Sequence, residues 1–434
     1  MEYNEIIPFA LATADVGYRS QILGAFRALA DITKNRLNDD ELFVLPEGCI
    51  SVEDVKTTLC ASQFASYKEF KKQIFALMDK YFAKHTFVPR VFITTFNATE
   101  SKTPDKNADM LCHAMKAYYI SRRLGRLITV ILSSKYYKYR YVDLINIPKH
   151  LMTFAVRIRL IHNPNLYRKV LTTVGIIHNF NREKINRDFK LLQKTLAQLK
   201  NDEDIADFRQ KFAGYQKKSK KVVFCLGGRV EGSEIIFDVN YAQKLYNDAE
   251  KLVRNGYGVV FVNGRRTPNN VADYLYEKTK NNPDIIFHNC KKVAQSDKDR
   301  DSQHWRIYSG RYEAEFAKQQ KLGNIYPAVL AFDNIIVVHT MDSYAGCETA
   351  SAGIPTAISG KGLYIDPVIR YDCLNLAQLL CPKFAIDFED FMNIACNMKI
   401  EPKDIQLRIL SNPLKVFAER VVKRLQQTEK HKNI

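Results

Sequence analysis

The sequence has no pair of cysteines in a CxxC spacing, although it contains nine cysteines in 434 residues. They are odd in number and scattered, at positions 49, 60, 112, 225, 290, 347, 373, 381 and 396. This distribution argues against a disulfide framework and against a zinc site, which need paired or closely spaced thiols. We therefore expect no metal site and a reducing compartment, the cytoplasm.

Long apolar runs are also missing, since no stretch reaches the roughly 18 consecutive apolar residues of a membrane-spanning helix. The opening residues, MEYNEIIPFALATADVGY, lack the charged, apolar and small-residue regions of a secretion signal. Neither half of the chain opens with a GxGxxG segment followed by an acidic residue, so a nicotinamide-dependent dehydrogenase is a poor interpretation. We expect a soluble protein without a cofactor.

Negative charge is scarce relative to positive charge, and the formal net charge is +18. Such a chain attracts polyanions, which include nucleic acid, anionic lipid headgroups and phosphorylated small molecules. The charge does not choose among them, and a merely solvated basic surface is an equal alternative.

Short apolar strands alternate with helix-length segments, a pattern typical of parallel sheets with crossover helices. The first half predicts strands at 6–12, 91–95, 127–132, 141–147 and 170–177, with helices at 20–30, 105–124 and 182–199. A second alternation predicts strands at 222–226, 259–262, 285–288, 335–339 and 355–358, with helices at 238–255, 269–280, 327–332 and 344–352. The fold class is therefore α/β, with two Rossmann-like, doubly wound domains.

The segment 200–221 is polar, charged and without a strong period, and we place the domain linker there. This gives an N-terminal domain over 1–210 with basic insertions, a C-terminal ligand-binding domain over 222–385, and C-terminal helices over 386–434. The tail carries a helical apolar stripe of Leu414, Phe417, Val421, Val422 and Leu425. It could pack back on the N-terminal domain or rest on a membrane, and stripes of this width usually face a core.

Open parallel sheets bind ligands beyond the carboxyl ends of their strands, so the residues that follow each strand are candidates. In the second domain, strand 222–226 is followed by two glycines, which permit close backbone approach, and a cation. The next strand leads into Asn263 and an arginine pair where a helix begins, with Thr267 as its expected N-cap; adjacent arginines there favour a phosphate ligand. The predicted donor-binding residues of these two strand ends are Gly227, Gly228, Arg229, Asn263, Arg265, Arg266 and Thr267.

A third strand end, after 335–339, places small hydroxyl residues at the start of a helix and a carboxylate one turn into it. Ser343 would face phosphates, and Glu348 would accept hydrogen bonds from a ribose diol. Thr349 belongs to the same predicted donor site. The alternative for Glu348 is a favourable interaction with the helix N-terminus that needs no ligand. Together, the three strand ends predict a cradle for a nucleoside diphosphate.

Residues 348–355 read E-x-A-x-x-G-x-P and resemble the donor-binding signature of GT-B glycosyltransferases. With Gly227-Gly228, Arg265-Arg266-Thr267-Pro268, Asn324-x-Tyr326-Pro327 and Asp342-Ser343, the order of motifs is similar to that of the mitochondrial fission ELM group of bacterial proteins, regarded as glycosyltransferases. In the first domain, Gly17-Tyr18-x-x-Gln21-x-x-Gly24 and the segment 172–178 resemble two further motifs of that group. The similarity spans roughly 6–365. The sequence departs from the group at Thr13, Tyr18, Gly264 and Ala345-Gly346.

The resemblance implies a GT-B architecture, in which two domains face a cleft, and transfer of a sugar from a nucleotide sugar without a metal ion. The N-terminal domain would bind the acceptor, with Gly17, Tyr18 and Gln21 on that side. The acceptor hydroxyl needs a proton acceptor, and the candidates are Asp15 after the first strand and His178 after a later one. A turn aspartate bonded to its own loop is the simpler interpretation of Asp15.

Many basic residues precede the predicted linker, and a surface formed by them would attract an anionic glycan or glycolipid acceptor, or an anionic membrane. We expect a cytoplasmic protein, peripheral on the inner membrane face. Lys135–Tyr141 alternates cations with aromatics, as nucleic-acid-binding surfaces do, but the informative residues cluster at strand ends and we expect no nucleic acid. An inactive scaffold is the other alternative. The basic residues are Lys68, Lys71, Lys72, Lys135, Lys138, Arg140, Arg157, Arg159, Arg168 and Lys169.

Overall fold

A computed structural model of the chain describes residues 8–12, 16–33, 49–51, 67–84, 88–95, 104–132, 139–148, 152, 154–227, 237–264, 266–294, 307–340, 343–359, 384–398, 400–405, 407, 409 and 413–430. The chain divides into two compact units. Unit 1 comprises Met1–Asn179 and Ser411–Ile434, and unit 2 comprises Phe180–Leu410. The division thus precedes the segment expected to be the linker, and the end of the chain returns to unit 1.

Unit 1 contains a six-stranded parallel sheet in the order β2-β1-β3-β4-β5-β6. Its strands are β1 (Pro8–Ala12), β2 (Cys49–Ser51), β3 (Val91–Thr95), β4 (Ile128–Leu132), β5 (Leu144–Pro148) and β6 (Val170–Thr173). The helices of its described residues before unit 2 are α1 (Val16–Thr33), α2 (Tyr67–Lys84), α3 (Pro104–Ser121), α4 (Phe154–Ile161) and α5 (Pro164–Tyr167).

Unit 2 repeats this plan with a parallel sheet in the order β14-β13-β12-β7-β8-β9 and a separate pair, β10-β11. The strands are β7 (Lys220–Leu226), β8 (Tyr257–Asn263), β9 (Ile285–His288), β10 (Lys292–Val293), β11 (Ile307–Tyr308), β12 (Ile335–Thr340), β13 (Thr356–Ser359) and β14 (Ile386–Asp387). The helices are α6 (Arg182–Gln198), α7 (Ala206–Lys217), α8 (Val239–Arg254), α9 (Asn269–Thr279), α10 (Glu313–Gln319), α11 (Ser343–Ser351) and α12 (Phe388–Asn393).

Both sheets are doubly wound, because the strand order reverses once in each. The reversal lies between β1 and β3 in unit 1 and between β7 and β12 in unit 2. Ligands of such sheets bind at the reversal, beyond the carboxyl ends of the two strands that flank it. The α/β fold class expected from the alternating pattern is confirmed in both units.

The sheet of unit 2 is covered on both faces, which explains its nearly continuous apolar strands. Along β7, Val222 and Phe224 pack into one buried cluster and Val223 into another. Burial of both faces makes short runs of Val, Ile and Phe recognisable as strands in the sequence, and β3 and β9 match their predicted bounds.

Three predicted elements need correction. The expected linker contains helix α7, whose Phe208, Phe212 and Tyr215 are buried at helical spacing among charged residues. Strand β6 ends at Thr173, and residues 176–181 are irregular instead of extending the strand to 177. The expected helix at 327–332 is a single 3₁₀ turn, Ala328–Leu330.

The final helix, α13 (Leu414–Lys430), packs in unit 1. Its Phe417, Ala418 and Val421 are fully buried in the same cluster as Ile22 and Leu29 of α1. The apolar stripe of the tail is therefore a core face. Among the described residues, no helix combines the length and apolar character needed to cross a membrane.

Candidate functional site

The three strand ends of the predicted donor site lie side by side in unit 2. Leu226, the last residue of β7, is in register with Thr340 of β12 on one side and with Asn263 of β8 on the other. The segments that follow these residues therefore begin at the same edge of the sheet, and the β7–β12 pair is where the strand order reverses. This is the edge at which a doubly wound sheet binds its ligand.

Thr267 joins the ends of β7 and β8. Its Oγ1 accepts a hydrogen bond from the Gly264 amide at 3.0 Å and lies 2.9 Å and 2.8 Å from the carbonyl oxygens of Leu226 and Gly227. The side chain is fully buried. Thr267 is thus not the N-cap expected for α9, which begins at Asn269 after Pro268 and has no side-chain cap.

Gly264 lies where a side chain does not fit. A Cβ at this position would be 2.5 Å from the carbonyl oxygen of Leu226, a distance that real Cβ atoms do not adopt. The Gly264 amide donates to the same oxygen at 2.7 Å. Glycine at 264, one of the departures from the related group, is therefore required by the close approach of β7 and β8.

The predicted donor residues around these strand ends divide into buried and exposed ones. Gly227 is buried and its amide donates to Thr340, and Asn263 is 1% exposed. The Asn263 side chain bridges Asn289 and the Cys290 amide at 2.6 Å each, so it organises the turn after β9. Arg266 is exposed. Gly228, Arg229 and Arg265 lie outside the described residues, and the ligand contacts predicted for all of these residues remain predictions.

A buried lysine beside this edge is not among the site residues predicted from the sequence. Lys291 is 4% exposed, and its Nζ donates to Asn269 Oδ1 at 2.8 Å, at the first residue of α9. Burial lowers the pKa of Lys291 to about 8, because water no longer solvates the ammonium group. A bound anion would favour its charged form. Lys211 and Lys221 are buried as well, so the sequence carries no signal that singles out Lys291.

Helix α11 begins at Ser343, as expected, although the Ser343 side chain lies outside the described part of the chain. Glu348 is half-buried and lies five residues after Ser343, a little more than one turn into the helix. Thr349 is fully buried, and its Oγ1 lies 2.9 Å from His339 Nε2 and 3.0 Å from Thr356 Oγ1. Thr349 therefore fastens α11 to β12 and β13. Burial lowers the pKa of His339 to about 3.

In unit 1, the motif of α1 contacts the segment that carries the predicted His178. Ser20 Oγ donates to Asn179 Oδ1 at 2.8 Å, and a Cβ on Gly24 would lie 2.5 Å from the backbone of His178. His178 is 1% exposed. The motif of α1 and the segment 172–178 are distant in the sequence but thus pack against each other.

Gln21 lies fully buried in α1, three residues before the contact at Gly24. Neither its Nε2 nor its Oε1 has a hydrogen-bond partner among the described residues. Gly17 and Tyr18, expected in a loop, lie in the first turn of α1, whereas Asp15 falls outside the described residues. An amide buried without partners is rare in folded proteins and indicates a strained or ligand-completed site.

Comparison with known proteins relates the chain to one family and to several solved structures. The sequence profile of the family described as "Mitochondrial fission ELM1" matches residues 17–298. No curated protein matches the sequence.

UDP-GlcNAc 2-epimerase from Neisseria meningitidis, solved with UDP-GlcNAc, is 12% identical, with a TM-score of 0.45 over 97% of this chain and 99% of that one. The Methanocaldococcus jannaschii 2-epimerase, solved with UDP-GlcNAc and UDP, is 11% identical, with a TM-score of 0.42 over the same shares. SsfS6, a glycosyltransferase from Streptomyces sp. SF2575, is 7% identical, with a TM-score of 0.31 over 96% and 95%.

Proposed function

Because the chain belongs to the mitochondrial fission ELM1 family, we propose that it is a glycosyltransferase that uses a nucleoside-diphosphate sugar. The acceptor is an anionic glycan or a lipid-linked glycan at the cytoplasmic face of a membrane, where the protein is peripheral. In the reaction, an acceptor hydroxyl attacks the anomeric carbon, the bond to the diphosphate breaks, and the hydroxyl proton passes to a base.

The observation that carries the donor half of the proposal is the alignment of Leu226, Asn263 and Thr340 at one edge of the sheet in unit 2. The segments that follow these three residues in the sequence carry the glycine pair, the arginine pair and helix α11, and we assign all three to one donor site. The close backbone approach at Gly264 and the hydroxyl of Thr267 hold two of these segments in place. Such a rigid edge supports a preorganised diphosphate site.

Cations near this edge support departure of the diphosphate. Negative charge develops on the leaving group, and Arg265, Arg266 and Lys291 are the basic residues that we assign to it. Lys291 is tied to Asn269, three residues after Arg266. Each charge-assisted hydrogen bond contributes about 1.5–3 kcal/mol, so two or three of them supply a substantial part of the catalytic stabilisation without a metal ion. Ser343 and Glu348 complete the donor site, with Glu348 on the ribose, and the buried Thr349 holds the helix that carries them against the sheet.

The acceptor half rests on α1 and the segment that contacts it. Gln21 is fully buried with both amide atoms unpartnered among the described residues, which fits a site that an acceptor hydroxyl completes. Asp15 and His178 are the proposed proton acceptors. His178 can accept the proton only if the acceptor enters the buried region beside Gly24. If the acceptor does not enter it, Asp15 is the base.

A thermal-shift screen against nucleoside diphosphates and their sugars tests the proposal. A ligand at about 100 times its dissociation constant stabilises the fold by roughly 2.7 kcal/mol. Glu348→Gln should weaken nucleosides and nucleotides alike while leaving pyrophosphate unaffected. Stabilisation by oligonucleotides alone would instead favour the nucleic-acid-binding alternative, and diphosphate binding without consumption of any sugar nucleotide would favour an inactive scaffold.

A further inference from the structure

The surface around α4 has no acidic residue in its sequence. From Leu144 to Arg182 the chain contains no aspartate or glutamate, whereas it contains Arg157, Arg159, Arg168 and Lys169. Of these four basic residues, the three arginines are exposed. The carboxylate of Asp109 lies beside these residues and accepts from the Arg140 and Tyr141 amides, but the basic side chains outnumber it. A surface with an excess of positive charge attracts a polyanion.

Helix α4 presents apolar side chains on two opposite faces. Val156 and Leu160 are buried in unit 1, with exposures of 8% and 3%. Phe154, Ile158 and Ile161 are exposed by 78%, 38% and 71%, and their spacing of four and three residues places them on one side of the helix. Tyr167 of α5 is also exposed. A contiguous apolar stripe that is left in water marks an interaction site more often than isolated exposed residues do.

An open pocket of about 760 Å³ lies next to the stripe. Cations from three segments line it, and none of its lining residues is acidic. Lys169 Nζ donates to the backbone oxygen of Arg140 at 3.0 Å, which leaves donors on the ammonium group. The nearby carboxylate of Asp143 is already paired with Lys116 at 2.7 Å. The lining residues are Tyr139, Arg140, Arg159, His162, Asn163, Asn165, Leu166 and Lys169.

The pocket lies away from the edge at which unit 1 is expected to bind its substrate. Arg140 precedes β5 and Lys169 precedes β6, so both residues lie at the amino ends of parallel strands. Substrates of doubly wound sheets bind at the carboxyl ends. Helix α4 begins after the carboxyl end of β5, and Arg159 of its last turn lines the pocket. A headgroup can therefore occupy the pocket while the carboxyl edge remains accessible.

We propose that α4 and this basic pocket form a docking surface for an anionic phospholipid membrane. Phe154, Ile158 and Ile161 enter the interface between headgroups and acyl chains, and Arg140, Arg159 and Lys169 receive a headgroup phosphate. Exposed isoleucines beside arginines match the apolar and anionic layers of such a membrane. Phe154 and Tyr167 are exposed aromatics on which bases could also stack, but the exposed Ile158 and Ile161 give a nucleic acid no stacking platform and fit the apolar layer of a membrane. The inference deepens the proposed function by assigning the surface through which the protein reaches a membrane-bound acceptor.

Co-sedimentation of the full chain with vesicles tests this surface. Vesicles of phosphatidylcholine are compared with an equal mixture of phosphatidylcholine and phosphatidylglycerol, at low and at high salt. The protein should sediment with the mixed vesicles at low salt, and each of Arg140→Gln and Arg159→Gln should weaken binding by about fivefold. The double variant Phe154→Ser/Ile161→Ser should weaken it by at least about tenfold.

Matched controls are Leu191→Ser, which alters an exposed leucine of α6, and Lys80→Gln, which removes an exposed charge of α2. Both should bind vesicles like the unaltered protein. Equal binding to both vesicle types, unchanged binding of Phe154→Ser/Ile161→Ser, or binding to a single-stranded oligonucleotide but not to vesicles would overturn the proposal. No sugar nucleotide is present, and diphosphate binding is measured separately on the same variants, so failure of membrane docking is distinguishable from failure of the transferase proposal.

Discussion

Gly24 of α1 and the backbone of His178 are packed so closely that a Cβ on residue 24 would lie 2.5 Å from the carbonyl carbon and oxygen of His178. The contact joins the start of the chain to the segment that follows β6. Glycine at 24 therefore serves helix packing, and the spacing of Gln21 and Gly24 places the buried amide beside this contact.

Gly24→Ala should destabilise the protein by about 1–3 kcal/mol, because the added methyl group must displace backbone atoms. Chemical unfolding followed by circular dichroism measures the change. The matched control is Gly214→Ala in α7, where a Cβ meets nothing within 4 Å and alanine should stabilise the helix by about 0.5–1 kcal/mol. Equal effects of the two substitutions would show that the backbone around Gly24 leaves room for a methyl group.

Thr267→Val should lower the free energy of unfolding by about 1–3 kcal/mol and weaken diphosphate binding. Valine has a similar shape but lacks the hydroxyl that accepts from the Gly264 amide and contacts the carbonyl oxygens of Leu226 and Gly227. The control, Thr279→Val, removes a hydroxyl that bonds only within its own helix, to the Leu275 oxygen at 2.8 Å and the Tyr276 oxygen at 3.3 Å. Unfolding curves and calorimetric titration with a nucleoside diphosphate measure the two effects. Loss of stability without any loss of affinity would separate Thr267 from the donor site.

Much of the fold could be predicted because buried parallel strands are short apolar runs, as in Val91–Thr95 and Ile285–His288. The helix α7 could not, because Phe208, Phe212 and Tyr215 are dispersed among charged residues that suggested a linker. The order of the strands in each sheet could not be predicted either, because local sequence does not specify which strands become neighbours. The alignment of Leu226 with Thr340 and the burial of Lys291 also depend on tertiary structure, so no sequence pattern predicts them.

Acid should destabilise the protein below about pH 6.5 through two buried histidines. Burial lowers the pKa of His339 to about 3 and that of His288 to about 4, from 6.5. The unfolded state therefore binds more protons in this window, so the stabilisation is complete above pH 6.5 and is lost as the pH falls toward 3. Urea unfolding between about pH 7 and pH 5 measures the slope, up to roughly 1.4 kcal/mol per pH unit for each group. His339→Gln should reduce the slope, and an unchanged slope for His339→Gln would contradict the burial argument.

Gln21→Met should raise the free energy of unfolding by about 1–3 kcal/mol, because it removes a buried amide that has no partner among the described residues. The same variant should lose sugar transfer if the amide holds the acceptor, a trade between stability and function. Gln193→Met, at an exposed position of α6, is the control and should change neither property. A destabilised Gln21→Met protein would indicate that the amide is already paired in the folded chain.

The arginine pair tests the central claim most directly, because adjacent guanidinium groups are what a diphosphate ligand requires at this edge. Calorimetric titration with a nucleoside diphosphate is performed on the unaltered protein, on Arg265→Ala/Arg266→Ala, and on Lys190→Ala/Lys194→Ala, which removes two exposed charges from α6. At about 1.5–3 kcal/mol per charged contact, the arginine variant should bind at least roughly 100-fold more weakly, with an unchanged unfolding transition. The lysine variant should bind like the unaltered protein. Equal affinity in all three proteins would contradict a diphosphate site at the carboxyl edge of this sheet.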